Sequence, residues 1–170
     1  MLQTNDRPTL RGVFTVTCRD KDGRVKWQET AKNLIVNEGL DHYLDVVLAA
    51  GTQITTWYIG LKNAGAGAAG DTMLSHAGWT ENENYSEAVR QTFTAGAVSG
   101  QSVDNTASAA SFSIDTDSQT IAGMFLVSNS TKGGTTGVLH SVTDFASAKS
   151  ADNGDTLDIE YTVTMADDGV

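Results

Sequence analysis

Near the C-terminus, Leu157, Ile159, Tyr161 and Val163 alternate with Asp158, Glu160, Thr162 and Thr164. A period of two places successive side chains on opposite faces of an extended strand, so this segment offers one apolar face to a core and one polar face to water or a partner. A helix would scatter the same apolar set around its cylinder. The alternation recurs at the other end, where Leu10, Gly12, Phe14, Val16 and Cys18 interleave with Arg11, Val13, Thr15 and Thr17. Asp20-Lys21-Asp22-Gly23 then separates this strand from Arg24 to Thr30, and a D-x-D-G step with Gly23 at positive φ predicts a β-hairpin.

Between these ends the chain keeps a strand rhythm. Ala31 to Val36, Thr55 to Leu61, Ala88 to Thr94, Ala97 to Val103, Ala109 to Ile114 and Val138 to Val142 all read as strands. Gln119 to Ser128 is apolar on both faces, as a central strand covered on each side would be. One helix interrupts the series over about 38–50. Asn37 is its candidate N-cap, Leu40, Tyr43, Leu44, Val47 and Leu48 fall on one stripe, and Gly51 is the stop. Asp71 to Ala77 predicts one helical turn, residues 62–70 and 129–136 small-residue loops, and Asp144 to Asn153 a polar connection. Eight to nine strands at this spacing predict a mainly β fold: an antiparallel β-sandwich, jelly-roll-like, with one short amphipathic helix. Residues 1–9 read as an extended polar arm, 10–166 as a single domain and 167–170 as an acidic tail.

Composition agrees with strands and turns, since Ser, Thr and Gly abound and Pro occurs once, at Pro8. Eleven Lys and Arg stand against 21 Asp and Glu, a formal charge of −10 that repels a phosphate backbone and argues against nucleic acid as a partner. The N-terminus lacks the apolar stretch of a secretory signal, and no apolar run reaches the roughly 18 residues of a membrane span. Synthesis in the cytosol without a membrane anchor is therefore expected.

Chemistry-bearing patterns are sparse. His42, His76 and His140 share no metal-ligand spacing, and Cys18 stands alone, which suits a small buried residue. No G-x-S-x-G elbow occurs, and the 65–70 loop lacks the Lys-Ser/Thr ending of a phosphate loop. Asp20/Asp22, Asp115/Asp117, Asp152/Asp155 and Asp167/Asp168 are acidic pairs that turns favour on their own account, with 152–158 the best of them for calcium. Trp27 and Trp57 lie in strand patterns and read as core. Trp79, after His76-Ala77-Gly78, reads either as an exposed loop aromatic suited to a sugar or as a pin for that loop. No catalytic residue, cofactor site or metal site is assigned.

Several segments resemble small bacteriophage virion proteins encoded near capsid genes. They are Asn33 to Leu48, Trp57-Tyr58-Ile59-Gly60-Leu61, Asp71 to Glu81, Tyr85 to Arg90, Ile121 to Leu126 and Gly154-Asp155-Thr156-Leu157, which together span about residues 33–164. The resemblance implies a non-enzymatic protein of the capsid decoration (cement) type, seated on the capsid exterior as a homotrimer or homodimer and reinforcing capsomer joints. The partner expected from it is the major capsid protein, contacted through an arm comprising Leu2, Gln3, Thr4, Asn5, Asp6, Arg7 and Pro8. The alternative is a receptor- or carbohydrate-binding module of a tail or fibre, presenting Trp79.

Overall fold

The structure, a computed structural model, describes residues 9–166. The candidate arm, Leu2 to Pro8, and the acidic tail lie outside the described residues. The expected first hairpin forms. Strand β1 (Thr9–Arg19) and strand β2 (Val25–Ile35) flank a turn in which Asp20 Oδ1 accepts the Asp22 and Arg24 N–H groups, each at 2.9 Å, and Gly23 takes φ 81°. Helix α1 (Asn37–Leu48) follows, then β3 (Trp57–Gly65), β4 (Trp79–Asn82), β5 (Gln91–Phe93), β6 (Ser102–Asp104), β7 (Ala110–Ser113), β8 (Gln119–Val127), β9 (Leu139–Ala151) and β10 (Thr156–Ala166).

All pairings are antiparallel, and the main path runs β4-β3-β8-β9-β2-β1-β10-β6, with β5 on β3 and β7 on β10. Two facing sheets were expected from the strand rhythm. The hydrogen bonding instead gives one sheet curled into a half-barrel, because β2 bridges its halves, pairing with β1 on one side and, through Asn33–Ile35, with β9 on the other. The alternating faces of β1 and β10 supply Phe14, Val16, Leu157, Ile159 and Tyr161 to the inner core, which Ile59 and Leu61 of β3 and Met124 and Leu126 of β8 complete. The other face of β8 carries Phe125 and Val127 into a second apolar cluster with Val36, Met73, Trp79, Leu139 and Val142. Burial on both sides explains the uninterrupted apolar composition of this strand.

The remaining differences from expectation have local causes. Ala31 to Ile35 continues β2 without a break. The predicted polar connection Asp144–Asn153 is mostly the second half of β9, a strand whose small and polar residues are exposed after Phe145. Its register on β8 jumps between Ile121↔Lys149 and Gly123↔Asp144, and the extra β9 residues bulge there, where Phe145 meets the Trp27 ring. Residues 71–77 form turns rather than a helical turn, and β4 follows them.

Candidate functional site

Helix α1 forms where the apolar spacing placed it, yet it turns a different side to the sheet. Gly39, His42, Tyr43 and Val46 face inward, so only Tyr43 of the predicted stripe is shared. The cause is close contact at Gly39: a Cβ there would lie 2.3 Å from the His140 carbonyl oxygen, and only glycine lets the helix approach β9 so nearly. Glu38 Oε2 fixes the same rotation by accepting the Leu139 N–H at 2.7 Å. Leu40, Leu44, Val47 and Leu48 are left 41, 59, 71 and 78% exposed. The helix also carries Glu38, Asp41 and Asp45 and has no Lys or Arg.

Beneath α1, the open side of the half-barrel leaves a cavity of about 480 Å³. His42, Tyr43, Val46 and Val47 form its roof, and Trp57, Phe93, Leu126, His140 and Val163 lie among the residues beneath. A smaller hollow of about 300 Å³ adjoins it, sharing Tyr43, Val103 and Val163 and reaching the exposed Val98 and Met165. Among the described residues, neither lining contains Asp, Glu, Lys or Arg. His140 is almost fully buried, its Nε2 lies 3.4 Å from the Tyr43 hydroxyl, and its Nδ1 has no protein partner. Burial, reinforced by the neighbouring His42, pushes its pKa down to about 4, so the imidazole is neutral at neutral pH. Burial also pushes the Tyr43 hydroxyl upward. A mostly apolar hollow beside an exposed apolar helix face accepts apolar groups, since burying a charged one there would cost it its hydration.

Two ion pairs with fully buried cations, which sequence reasoning missed, brace this architecture. Arg90 is fully buried and meets Glu81 twice, Nε to Oε1 at 2.8 Å and Nη2 to Oε2 at 2.6 Å. It also donates to the carbonyls of Asn129 and Gly134 and lies 5.1 Å from the Phe125 ring centre, so one guanidinium ties the 129–134 loop to β4. Lys62, equally buried, lies against Asp144. Nothing in the local sequence marks Arg90. Lys62 directly after the apolar run Trp57–Leu61 is the only hint of the second pair.

The residues singled out from the sequence fall as follows. Trp79 is not an exposed aromatic: it is 3% exposed, its Nε1–H reaches Asp71 Oδ2 at 2.9 Å, and His76 stacks on its ring at 4.0 Å. It pins the loop it follows and presents no platform for a sugar. Trp57 is half-buried at the cavity, and Trp27 is half-buried with its Nε1–H on the Ser150 carbonyl. Cys18 is buried, and that burial, aided by the Asp155 carboxylate, pushes its thiol up to about 12. Asp152 and Asp155 converge on Lys26 Nζ at 3.0 and 2.5 Å, while Asp155 accepts the Asp152 N–H and Asp152 that of Ser118. Their oxygens therefore serve the turn. Among the described residues, no group of three or more His, Cys, Asp or Glu side chains is arranged to hold a metal ion. No protein-family model, curated protein or solved structure matches this chain.

Proposed function

We propose that this chain is a non-catalytic docking protein of a bacteriophage particle, of the capsid decoration (cement) type, which binds the outer surface of the major capsid protein shell as a homotrimer or homodimer. The observation that carries the reading is the exposed stripe Leu40, Leu44, Val47 and Leu48 on α1, set beside a mostly apolar cavity. Apolar surface of that kind gains about 25 cal/mol per Å² when a partner covers it. Asp41 and Asp45 beside the stripe favour a receiving surface bordered by Lys or Arg, and they oppose pairing of this helix with its own copy. The phage assignment rests on the resemblance carried by residues 33–164. Within this reading the half-barrel is a jelly-roll-like sandwich opened along one side, a view supported by the β1–β10 and β3–β8 halves sharing one inner core. Many copies on one shell make individually weak contacts collectively strong.

The test uses heads of the encoding phage that lack the chain. Wild-type protein is expected to co-sediment with them, and Leu44→Asp combined with Val47→Asp to lose affinity by about tenfold or more, the equivalent of ~1.4 kcal/mol. Both positions are exposed, so circular dichroism should stay unchanged. Removing residues 1–8 is expected to weaken attachment further. Undiminished binding by the double variant would reject α1 as the docking face.

A further inference from the structure

Lys62 on β3, Gly123 on β8 and Asp144 on β9 form one row across three adjacent strands, with Lys62 opposite Gly123 and Gly123 opposite Asp144. Strands lie about 4.8 Å apart, so a lysine and an aspartate two strands from each other meet only if the residue between them leaves room. Gly123 does so. At φ +155° it has no side chain, and an added Cβ would meet Lys62 Cε at 3.2 Å and the Thr143 carbonyl at 1.8 Å. The lysine stem thus lies across the backbone of β8, and Nζ touches Asp144 Oδ1.

A lid covers this contact. The segment after β3, read from sequence as a loop without preference, packs flat on the sheet because its residues are small. A Cβ on Gly67 would lie 2.2 Å from Val142 Cγ1, and one on Gly65 would lie 1.8 Å from the Gly78 carbonyl. Lys62 Nζ donates to the Gly65 carbonyl at 2.7 Å, and Gly67 N–H donates to Asp144 Oδ2 at 3.0 Å. Asp71 locks the lid by accepting the N–H of Ala68 and Nε1–H of Trp79. Lys62 is fully enclosed, whereas Asp144 keeps an open edge, its side chain 42% exposed.

Enclosure favours the uncharged form of the amine. Burial pushes Lys62 down to about 8, which leaves roughly a tenth of it as free amine at pH 7. A free amine in contact with a carboxyl group, both held by three strands and a lid, reacts within one molecule with the high effective concentration of a preorganised pair.

We propose that Lys62 and Asp144 condense into an isopeptide bond that staples β3 to β9 across β8. Nζ passes one proton to the Asp144 carboxylate with which it is in contact, and the resulting amine attacks Cγ. The Nζ–Cγ bond forms, one Cγ–O bond breaks, and that oxygen leaves with two protons taken from the former ammonium. The products are one amide and one water, no oxidant or reductant is consumed, and the open edge of Asp144 lets the water escape. The bond would close a loop between residues 82 positions apart, restricting the unfolded chain as a long-range disulfide does in a protein whose one cysteine forms none within the chain.

The experiment is the intact mass of the purified full chain, denatured before measurement, followed by peptide mapping. The expected mass is lower than the sequence mass by one water, and the expected map contains a branched peptide joining Lys62 to Asp144. Lys62→Arg and Asp144→Ala should each restore the unmodified mass. A wild-type mass equal to the sequence mass, after prolonged incubation at pH 8, would overturn the proposal and leave an ordinary buried ion pair. Water loss mapped to Asp22-Gly23 or Asp168-Gly169, where succinimide formation gives the same mass change, would overturn it equally. The wild-type measurement decides the matter even if the variants fail to fold.

Discussion

Replacing Arg90 by Met tests whether the buried charges are structural braces. The substitution keeps an apolar stem of similar length but removes every guanidinium contact, leaving Glu81, with 7% of its side chain exposed, to face its low-dielectric surroundings with only the Gly133 N–H, at 3.0 Å, still donating to it. Breaking a buried pair by removing one partner costs about 3–5 kcal/mol. The carbonyls of Asn129 and Gly134, stripped of their donor, add to that loss, while the methionine stem recovers some packing on Phe125. We expect a net destabilisation of about 4 kcal/mol, which at roughly 2–4 °C per kcal/mol for a domain of this size lowers Tm by about 8–16 °C. Urea denaturation followed by tryptophan fluorescence measures it. Glu81→Gln supplies the control: in the double variant no unpaired charge remains, so the combined cost should fall short of the sum by about 2 kcal/mol. A cost below about 1 kcal/mol for Arg90→Met, or strict additivity, would mean that the Arg90–Glu81 pair is not a structural brace.

Two further predictions concern titration and reactivity. His140 has a folded pKa near 4, below its ordinary 6.5, so the unfolded chain binds the proton first and stability falls as pH drops through that window. Wild type should lose about 2 kcal/mol from this group between pH 7 and pH 5, and His140→Leu should show a correspondingly flatter profile in urea titrations at the two values. Cys18, with its thiol raised to about 12 and its side chain buried, should resist Ellman's reagent at pH 8 in the folded protein and react fully once urea unfolds it.

The sequence was most legible where one local rule sufficed. Alternation located β1 and β10, the Asp20 to Gly23 turn located the first hairpin, and two-sided apolarity marked β8 as central. Spacing also located α1, but not its rotation, which depends on the contact between Gly39 and the His140 carbonyl on a distant strand. For that reason the apolar stripe read from the spacing, Tyr43 apart, became the exposed face of the candidate site. Asp144 to Ala151 was opaque for another reason: an exposed strand of small and polar residues has the composition of a loop, and its pairing with β8 alone makes it a strand. Trp79 was open to two readings because the residues before it, His76-Ala77-Gly78, look like a loop; stacking by His76, packing against Phe125 and the Asp71 carboxylate on its Nε1–H make it the pin. Lys62 and Asp144 carry no sequence signal of each other, since only the β3-β8-β9 order and the missing side chain at Gly123 unite them.

The proposed role, docking on a phage head, is put to the test by separating particles of the phage that encodes the chain into heads and tails and locating it by peptide mass spectrometry. A capsid decoration protein should be present in the head fraction at close to one copy per major capsid subunit. Confinement to tails, or absence from both fractions, would contradict it.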